Sequence, residues 1–176
     1  FVTPSKFKLV KYDLHLPMYE DNKNIPLSRI YIFMHELTHF FYGLSSPKHI
    51  VRNVKCAINN IDEKTGMIYE DFLYSKKKPN KYLLQSIIIP NKLKHLTDSQ
   101  KVDFLQYARY SLMEEKLAYK EGQKYYMKML KSQGILDSVG HKTDGSEYYF
   151  DEKIEILNEL LANELKRQRR NLNEIK

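Results

Sequence analysis

The sequence has few of the features that define specialised classes of protein. A single cysteine, Cys56, excludes an intrachain disulfide, which fits a reducing compartment or a protein that is stable without crosslinks. No apolar run approaches the roughly 18 residues that a membrane-spanning helix needs, and low-complexity tracts are missing. There is also no RNA-binding aromatic motif, Cys/His finger or Gly-rich phosphate loop. These absences favour a folded, soluble protein, either cytoplasmic or secreted.

The length of the chain fits one domain. Its 176 residues are enough to bury a core, and we expect a single domain over residues 1–176 that is part of a longer chain. The chain begins at Phe1 rather than at methionine, which indicates a fragment of a longer protein or a processed product. Cys56 is interpreted as a small core residue.

The net charge of +7 raises the question of an anionic partner. The positive charge is concentrated in residues 76–81, which read as a loop, and in residues 166–170 near the end of the last predicted helix. Because no nucleic-acid-binding motif accompanies these residues, we interpret them as a solvated basic surface, and nucleic-acid binding is not favoured. An acidic substrate or partner is the next interpretation.

The periodicity of apolar residues predicts a mostly helical protein with a small β-sheet, an α+β fold. A capping box at residues 97–100 opens a long helix. Predicted helices cover residues 27–43, a segment that starts at Ser46-Pro47, residues 98–133, and a segment from about 150. Residues 5–18 and 67–74 are predicted strands, and residues 82–89 are ambiguous between strand and helix, ending at Pro90.

Residues 35–39 read HELTH, an HExxH pattern. On a helix, residues four apart lie on the same face, so His35 and His39 can present two imidazoles to one metal ion. Glu36 lies about 100° around the helix, close enough to act on water at the metal without being a ligand. Two neutral nitrogens, a nearby carboxylate and an open coordination position are what zinc-assisted hydrolysis needs.

The residues around this pattern predict a helix. Asn24 or Ser28 can cap it, Pro26 is acceptable in its first turn, and Gly43 supplies a C-terminal stop. Apolar residues recur between them at three- and four-residue steps, which is typical of an amphipathic helix with one buried face. They are Ile30, Phe33, Met34, Leu37, Phe41 and Leu44.

The HELTH segment resembles the active-site helix of zincin metallopeptidases, including thermolysin-like ones, over about ten residues. The resemblance implies a zinc peptidase that acts on a peptide or protein, with His35 and His39 as zinc ligands and Glu36 as general base. It also implies a small sheet beside this helix, whose edge strand binds extended substrate. The metzincin pattern fails, because Tyr42 and Ser45 stand where Gly and His are required.

The gluzincin pattern instead places a third ligand, a glutamate, on a later helix, often as ExxA followed by Asp or Asn. Glu115 and Ala118 match it, but Tyr119 departs at the last position and leaves open what orients the ligands. Glu115 falls on the apolar stripe of the long helix, where a carboxylate is costly unless it is paired or bound to a metal, whereas Glu114 lies about 100° away. The alternatives for the third ligand are Glu114, Glu121, His49, His95 and His141.

Peptide hydrolysis also needs a donor for the oxyanion of the tetrahedral intermediate. Tyr119, one turn beyond Glu115, is the candidate nearest to the metal in sequence. The alternatives are Tyr110, Tyr125, Tyr126 and His141.

These residues lead to a zinc metallopeptidase of gluzincin type, including the case of narrow specificity for one partner protein. A different class stays open, namely a non-catalytic binding module on a zincin scaffold, with a basic surface for nucleic acid or an acidic protein. A closed site with His49 as fourth ligand would favour that alternative.

Overall fold

The computed structural model describes residues 27–65, 72–134 and 145–174. These ranges form seven α-helices, together with a π-helical turn over Leu84–Ile88 and a 3₁₀ turn over Ser146–Tyr148. The α-helices are α1 (Leu27–Ser45), α2 (Pro47–Ile58), α3 (Ile61–Thr65), α4 (Lys81–Leu83), α5 (Ile89–Leu93), α6 (Asp98–Ser132) and α7 (Phe150–Glu174).

The predicted α+β fold is wrong for the part of the chain that the structure describes, which is all-helical and contains no strand. Phe72 and Leu73, at the end of the predicted strand 67–74, are helical, and residues 82–89 are helical too. The periodicity of the apolar run 82–89 does not distinguish a strand from a helix. Asn80 favours the helix, because its side chain accepts a hydrogen bond from the Leu83 amide at 3.0 Å, as an N-cap does. The predicted strand 5–18 and residues 67–71 lie outside the described ranges.

The sequence predicted that Pro90 ends this segment, and that prediction is wrong. Pro90 lies in the first turn of α5. Proline lacks the N–H that would continue the preceding α-helical hydrogen bonds, and the wider π turn over Leu84–Ile88 lies directly before it. The helix continues past Pro90 to Leu93 because Ile89 and Leu93, one turn apart, are both buried.

Helix α6 is the longest element, with 35 residues and a length of roughly 52 Å. It begins where the sequence predicted. Thr97 accepts a hydrogen bond from the Gln100 amide at 3.3 Å, and Gln100 accepts one from the Thr97 amide at 3.0 Å. It ends before Gly134, whose φ of +68° stops the helix.

Helices α1 and α2 lie end to end along one side of α6 and run antiparallel to it. The direction follows from the contacts, because Tyr31 packs on Tyr126, His39 meets Glu114, and Arg52 pairs with Asp103. The two helices are separated at Ser46, which precedes Pro47 and has a non-helical ψ of 67°.

Pro47, not Gly43, therefore ends the HELTH helix. Gly43 lies inside α1, with nothing within 4 Å of the place where a Cβ would stand.

Helix α7 packs along α6 as well, and its start and direction are fixed by ion pairs at both ends. Asp151 accepts from Lys116 at 2.5 Å, and Arg167 pairs with Asp98. Most of the buried apolar residues of the described chain form one cluster to which most of the helices contribute, and Cys56 is among them, as predicted. No helix in the described ranges is long and apolar enough to cross a membrane.

Candidate metal centre

His35 and His39 lie one turn apart on α1 and point the same ring nitrogen at the same place. Their Nε2 atoms are 3.1 Å apart, and their ring centroids are separated by 4.8 Å. Two neutral imidazoles cannot both accept in such a contact, so the pair needs a shared proton or a cation between the nitrogens. Both side chains are largely shielded, with exposures of 12% for His35 and 21% for His39.

Glu115 reaches this pair from α6. Its Oε2 lies 3.5 Å from Nε2 of His35, and its Oε1 lies 3.5 Å from Nε2 of His39. Ligand atoms about 2.0–2.2 Å from a tetrahedral zinc ion are about 3.3 Å from one another, so these separations fit the edges of such a site. One ligand atom from each of the three residues can be chosen so that all lie within 4.8 Å of one another. The three residues are therefore a group that could hold a metal ion.

Glu114, the neighbour of Glu115, contacts the other side of His39. Its Oε1 lies 3.1 Å from Nδ1 of His39, and its Oε2 lies 2.8 Å from Nε2 of His49. A carboxylate only accepts hydrogen bonds, so Nδ1 of His39 carries a proton towards Glu114, and Nε2 is the nitrogen left to face a cation. Glu114 thus orients a candidate ligand histidine, and it can take the orienting role for which the departure at Tyr119 left no residue.

The charges of the site favour a cation at its centre. Burial alone would lower the pKa of His39, but hydrogen bonds and charge from Glu114 and Glu115 outweigh it and raise that pKa to about 10. Burial likewise would raise the pKa of Glu115, and the histidines His35 and His39 hold it instead at about 2. The pKa of Glu114 is lowered by His39 and His49 in the same way. The site therefore keeps its carboxylates ionised and stabilises positive charge next to them.

A glycine on α6 allows the close approach of α1 that these distances need. At Gly122, a Cβ would lie 3.2 Å from Cε2 of Tyr31 and 3.4 Å from both Cα and Cβ of His35. A Cβ there would crowd the Tyr31 ring and stand at ordinary contact distance from His35, so a side chain larger than alanine would push against the backbone of a candidate ligand residue. This is a positional use of glycine, because Gly122 lies inside a helix and has no positive φ.

Tyr119 lies beside the site but presents its ring to it. The Tyr119 and His35 rings meet edge to face with centroids 4.6 Å apart, and the Tyr119 hydroxyl hydrogen-bonds with Tyr148. Gly145 closes this side of the site, since its φ is +75° and a Cβ there would lie 2.7 Å from Cγ of Tyr119. Tyr119 as an oxyanion donor stays a prediction.

The hydroxyl that does reach a candidate ligand belongs to Tyr74, which the sequence reading missed. Tyr74 donates to Oε1 of Glu115 at 3.2 Å. Burial and the negative charges of Glu115 and Glu36 contribute to raising the pKa of Tyr74 well above its usual value. Of these contributions, that of Glu36 is the smallest. Nothing in the local sequence marks Tyr74, because its approach to Glu115 depends on how the segment after residue 72 packs.

The remaining candidates of the sequence reading lie away from the cluster or outside the described residues. Glu121 pairs with Lys124 at 3.0 Å, and His49 contacts Glu114 instead of the three-residue group. His95 is exposed, Tyr110 packs near His49, Tyr125 is exposed beside Lys124, Tyr126 is buried against Tyr31, and His141 lies outside the described ranges.

Within residues 27–65, 72–134 and 145–174, His35, His39 and Glu115 are the metal-ligating side chains that cluster closely enough to share an ion. Comparison with protein-family models, with curated proteins and with solved structures found no match to this chain. The functional conclusion rests on the geometry of the site.

Proposed function

We propose that this chain is a zinc-dependent metallopeptidase of the gluzincin type that its HELTH segment resembles. The observation that supports this most is the set of ligand separations, 3.1 Å between the two histidine nitrogens and 3.5 Å from each nitrogen to Glu115. Two imidazoles and a carboxylate are a donor set that suits zinc and leaves a fourth position open, as catalytic zinc sites do.

Zinc bound at this site would act as a Lewis acid that polarises a carbonyl oxygen and acidifies water. Glu36 follows His35 directly on α1 and serves as general base: it takes a proton from the attacking water as the water oxygen bonds to the scissile carbonyl carbon. Glu36 then passes that proton to the leaving nitrogen as the C–N bond breaks. The products are a carboxylate and an amine.

Glu114 and His49 maintain the ligand that this chemistry requires. The carboxylate of Glu114 holds the proton of His39 on Nδ1, and His49 holds Glu114 from the opposite side. Nε2 of His39 is therefore the nitrogen directed at the metal position, and it would give up its proton when a metal binds. Because His49 is occupied in this way, the geometry favours an open, catalytic site over a closed one with four protein ligands.

The test compares the wild type with Glu36→Gln and with Glu121→Gln, a control that alters a carboxylate of α6 outside the site. We expect one zinc ion per chain in all three proteins, measured by mass spectrometry. We expect the wild type and the control to hydrolyse fluorescein-labelled casein or members of a quenched-fluorescent peptide library. Glu36→Gln should lower kcat by about 10²–10⁴-fold, the usual contribution of a general base. Hydrolysis by Glu36→Gln at the wild-type rate, or a protein that takes up no zinc, would contradict the proposal.

A further inference from the structure

Lys153 is a charged side chain buried in the core, with an exposed fraction of 1%. It lies in the first turns of α7, far along the chain from the HELTH helix. Its ammonium donates to the carbonyl oxygen of Leu73 at 3.0 Å and to that of Ser75 at 2.8 Å. Burying an ammonium is costly unless its protons are hydrogen-bonded, and here two backbone carbonyls accept them.

These two carbonyls flank Tyr74 on either side. Lys153 therefore holds the main chain before and after Tyr74, whose hydroxyl donates to Oε1 of Glu115 at 3.2 Å. The same Glu115 oxygen lies 3.5 Å from Nε2 of His39. Contacts thus connect Lys153 on α7 to the candidate metal ligands through residues 73–75.

Tyr74 combines a fixed backbone with a reachable hydroxyl. The residue is 44% exposed, so a substrate can approach it, while its hydroxyl lies next to a ligand carboxylate. Tyr119 has the opposite arrangement, with its ring against His35 and its hydroxyl bonded to Tyr148. Of these two tyrosines, Tyr74 is the better placed to donate a hydrogen bond to an oxygen that arrives at the metal position.

We propose that Lys153 is a positioning residue that fixes Tyr74 at the metal centre, and that the Tyr74 hydroxyl turns its single proton from Glu115 to the oxygen of the scissile carbonyl as negative charge develops there. The second half of this proposal rests on the proposed peptidase function. The first half does not, because it concerns the contact of Tyr74 with Glu115 in the folded chain.

The first measurement is independent of hydrolysis. 3-Fluorotyrosine is placed at position 74, and its ¹⁹F resonance is recorded in the wild type, Glu115→Gln, Lys153→Met and the combined Glu115→Gln/Lys153→Met variant. If Lys153 holds Tyr74 against Glu115, the resonance shifts with Glu115→Gln in the wild-type background and no longer responds in the Lys153→Met background. Lys81→Met is the matched control, since Lys81 joins its own segment to α7 through Glu155 and Glu159 on the surface. An unchanged response in Lys153→Met would overturn the positioning role.

The second measurement is a kinetic cycle with the zinc-loaded wild type, Tyr74→Phe, Lys153→Met and the double variant on labelled casein and the quenched peptide library. We expect each single variant to lower kcat by about 10²-fold, as the loss of one oxyanion donor does, with KM nearly unchanged. The double variant should lose no more than either single variant, because Lys153 acts through Tyr74. Losses that multiply, or a Tyr74→Phe variant with wild-type kcat, would refute the donor role.

The two proposals can fail separately. If the wild type binds zinc but cleaves neither casein nor any peptide of the library while the ¹⁹F coupling holds, hydrolysis of these substrates and the donor role in it are both refuted, and the positioning of Tyr74 by Lys153 is supported. If Lys153→Met is unfolded by circular dichroism, the Tyr74→Phe variant still decides the donor role, and the effect of Glu115→Gln on the fluorotyrosine resonance decides whether Tyr74 lies against Glu115. If Glu115→Gln does not shift the resonance in the wild-type background, Tyr74 does not contact Glu115, and the positioning role is refuted.

Discussion

Glu114 and Glu115 are adjacent on α6, and we expect different losses of zinc affinity when each is changed to glutamine. Glu115 is a candidate ligand through both of its oxygens, whereas Glu114 contacts only the far side of His39 and His49. Glu121 belongs to the same helix but pairs with Lys124. The three substitutions are identical in chemistry and differ only in what the carboxylate touches.

The magnitudes follow from these contacts. Structural zinc sites with four ligands bind with about 10–16 kcal/mol, or about 3 kcal/mol per ligand, so Glu115→Gln should weaken zinc binding by about 100-fold or more. Loss of a carboxylate that orients a ligand histidine costs about 10–100-fold, and we expect Glu114→Gln to lie near the lower end because His39 itself remains. Glu121→Gln should match the wild type.

Competition with a chromophoric chelator measures these affinities, and thermal unfolding supplies an independent scale. At free zinc equal to 100 times the wild-type Kd, bound metal stabilises the wild type by about 2.7 kcal/mol. A tenfold weaker variant gains about 1.4 kcal/mol and a 100-fold weaker one about 0.4 kcal/mol. For a chain of this size these gains correspond to about 5–11 °C, 3–6 °C and 1–2 °C in Tm.

The ranking of the three variants by zinc affinity tests the roles assigned to the two glutamates. Wild-type zinc affinity in Glu115→Gln would move the third ligand elsewhere, and a larger loss in Glu114→Gln than in Glu115→Gln would exchange the two roles. An equal loss in Glu121→Gln would show that the effect comes from the charge of α6 and not from coordination.

Four further predictions concern the stability of the folded chain. Gly145→Ala should lower the free energy of unfolding by about 2–5 kcal/mol in urea titrations, because it combines a positive φ with a Cβ 2.7 Å from Cγ of Tyr119; Gly43→Ala, in open space inside α1, should instead raise it by about 0.5–1 kcal/mol. Thr97→Ala should cost about 1 kcal/mol through loss of the α6 cap, and an unchanged urea midpoint would argue against that cap. Burial lowers the pKa of Lys153 from 10.5 to about 8, so the unfolded chain binds the extra proton between these pH values. Wild-type stability should therefore rise by up to about 3 kcal/mol from pH 8 to pH 10.5 relative to Lys153→Met, and parallel pH curves for the two proteins would contradict this.

The parts of the site that depend on local spacing could be predicted from the sequence. His35 and His39 face the same point because four residues of helix put them there, and the capping box and Gly134 delimit α6 through contacts within a few residues. Glu115 was preferred over Glu114 from the apolar stripe of α6 alone, and the structure brings Glu115 to the two histidines. The assignment of zinc and of the catalytic roles stays a prediction.

The parts that depend on distant contacts could not be predicted. Glu114 meets His49, and Tyr74 meets Glu115, only because separate helices pack in a particular way. The prediction of a β-sheet was wrong for a related reason, because short apolar runs look alike in a strand and in a buried helix. The sequence does carry a signal for Lys153, which stands three residues after Phe150 and four before Leu157, on the buried face of α7.

The break between α1 and α2 brings His39 and His49 close together, and the HELTH pattern does not include this spacing. His39 and His49 are ten residues apart, which on one continuous helix would be about 15 Å along the axis, yet both rings contact the single carboxylate of Glu114. One residue added or removed between Ser45 and Pro47 would leave HELTH intact but displace α2 relative to α6, taking His49 away from Glu114. The number of residues from HELTH to His49 is thus as much a part of this centre as the spacing of the two histidines within HELTH, and a chain can keep the motif while losing the support of its metal ligand.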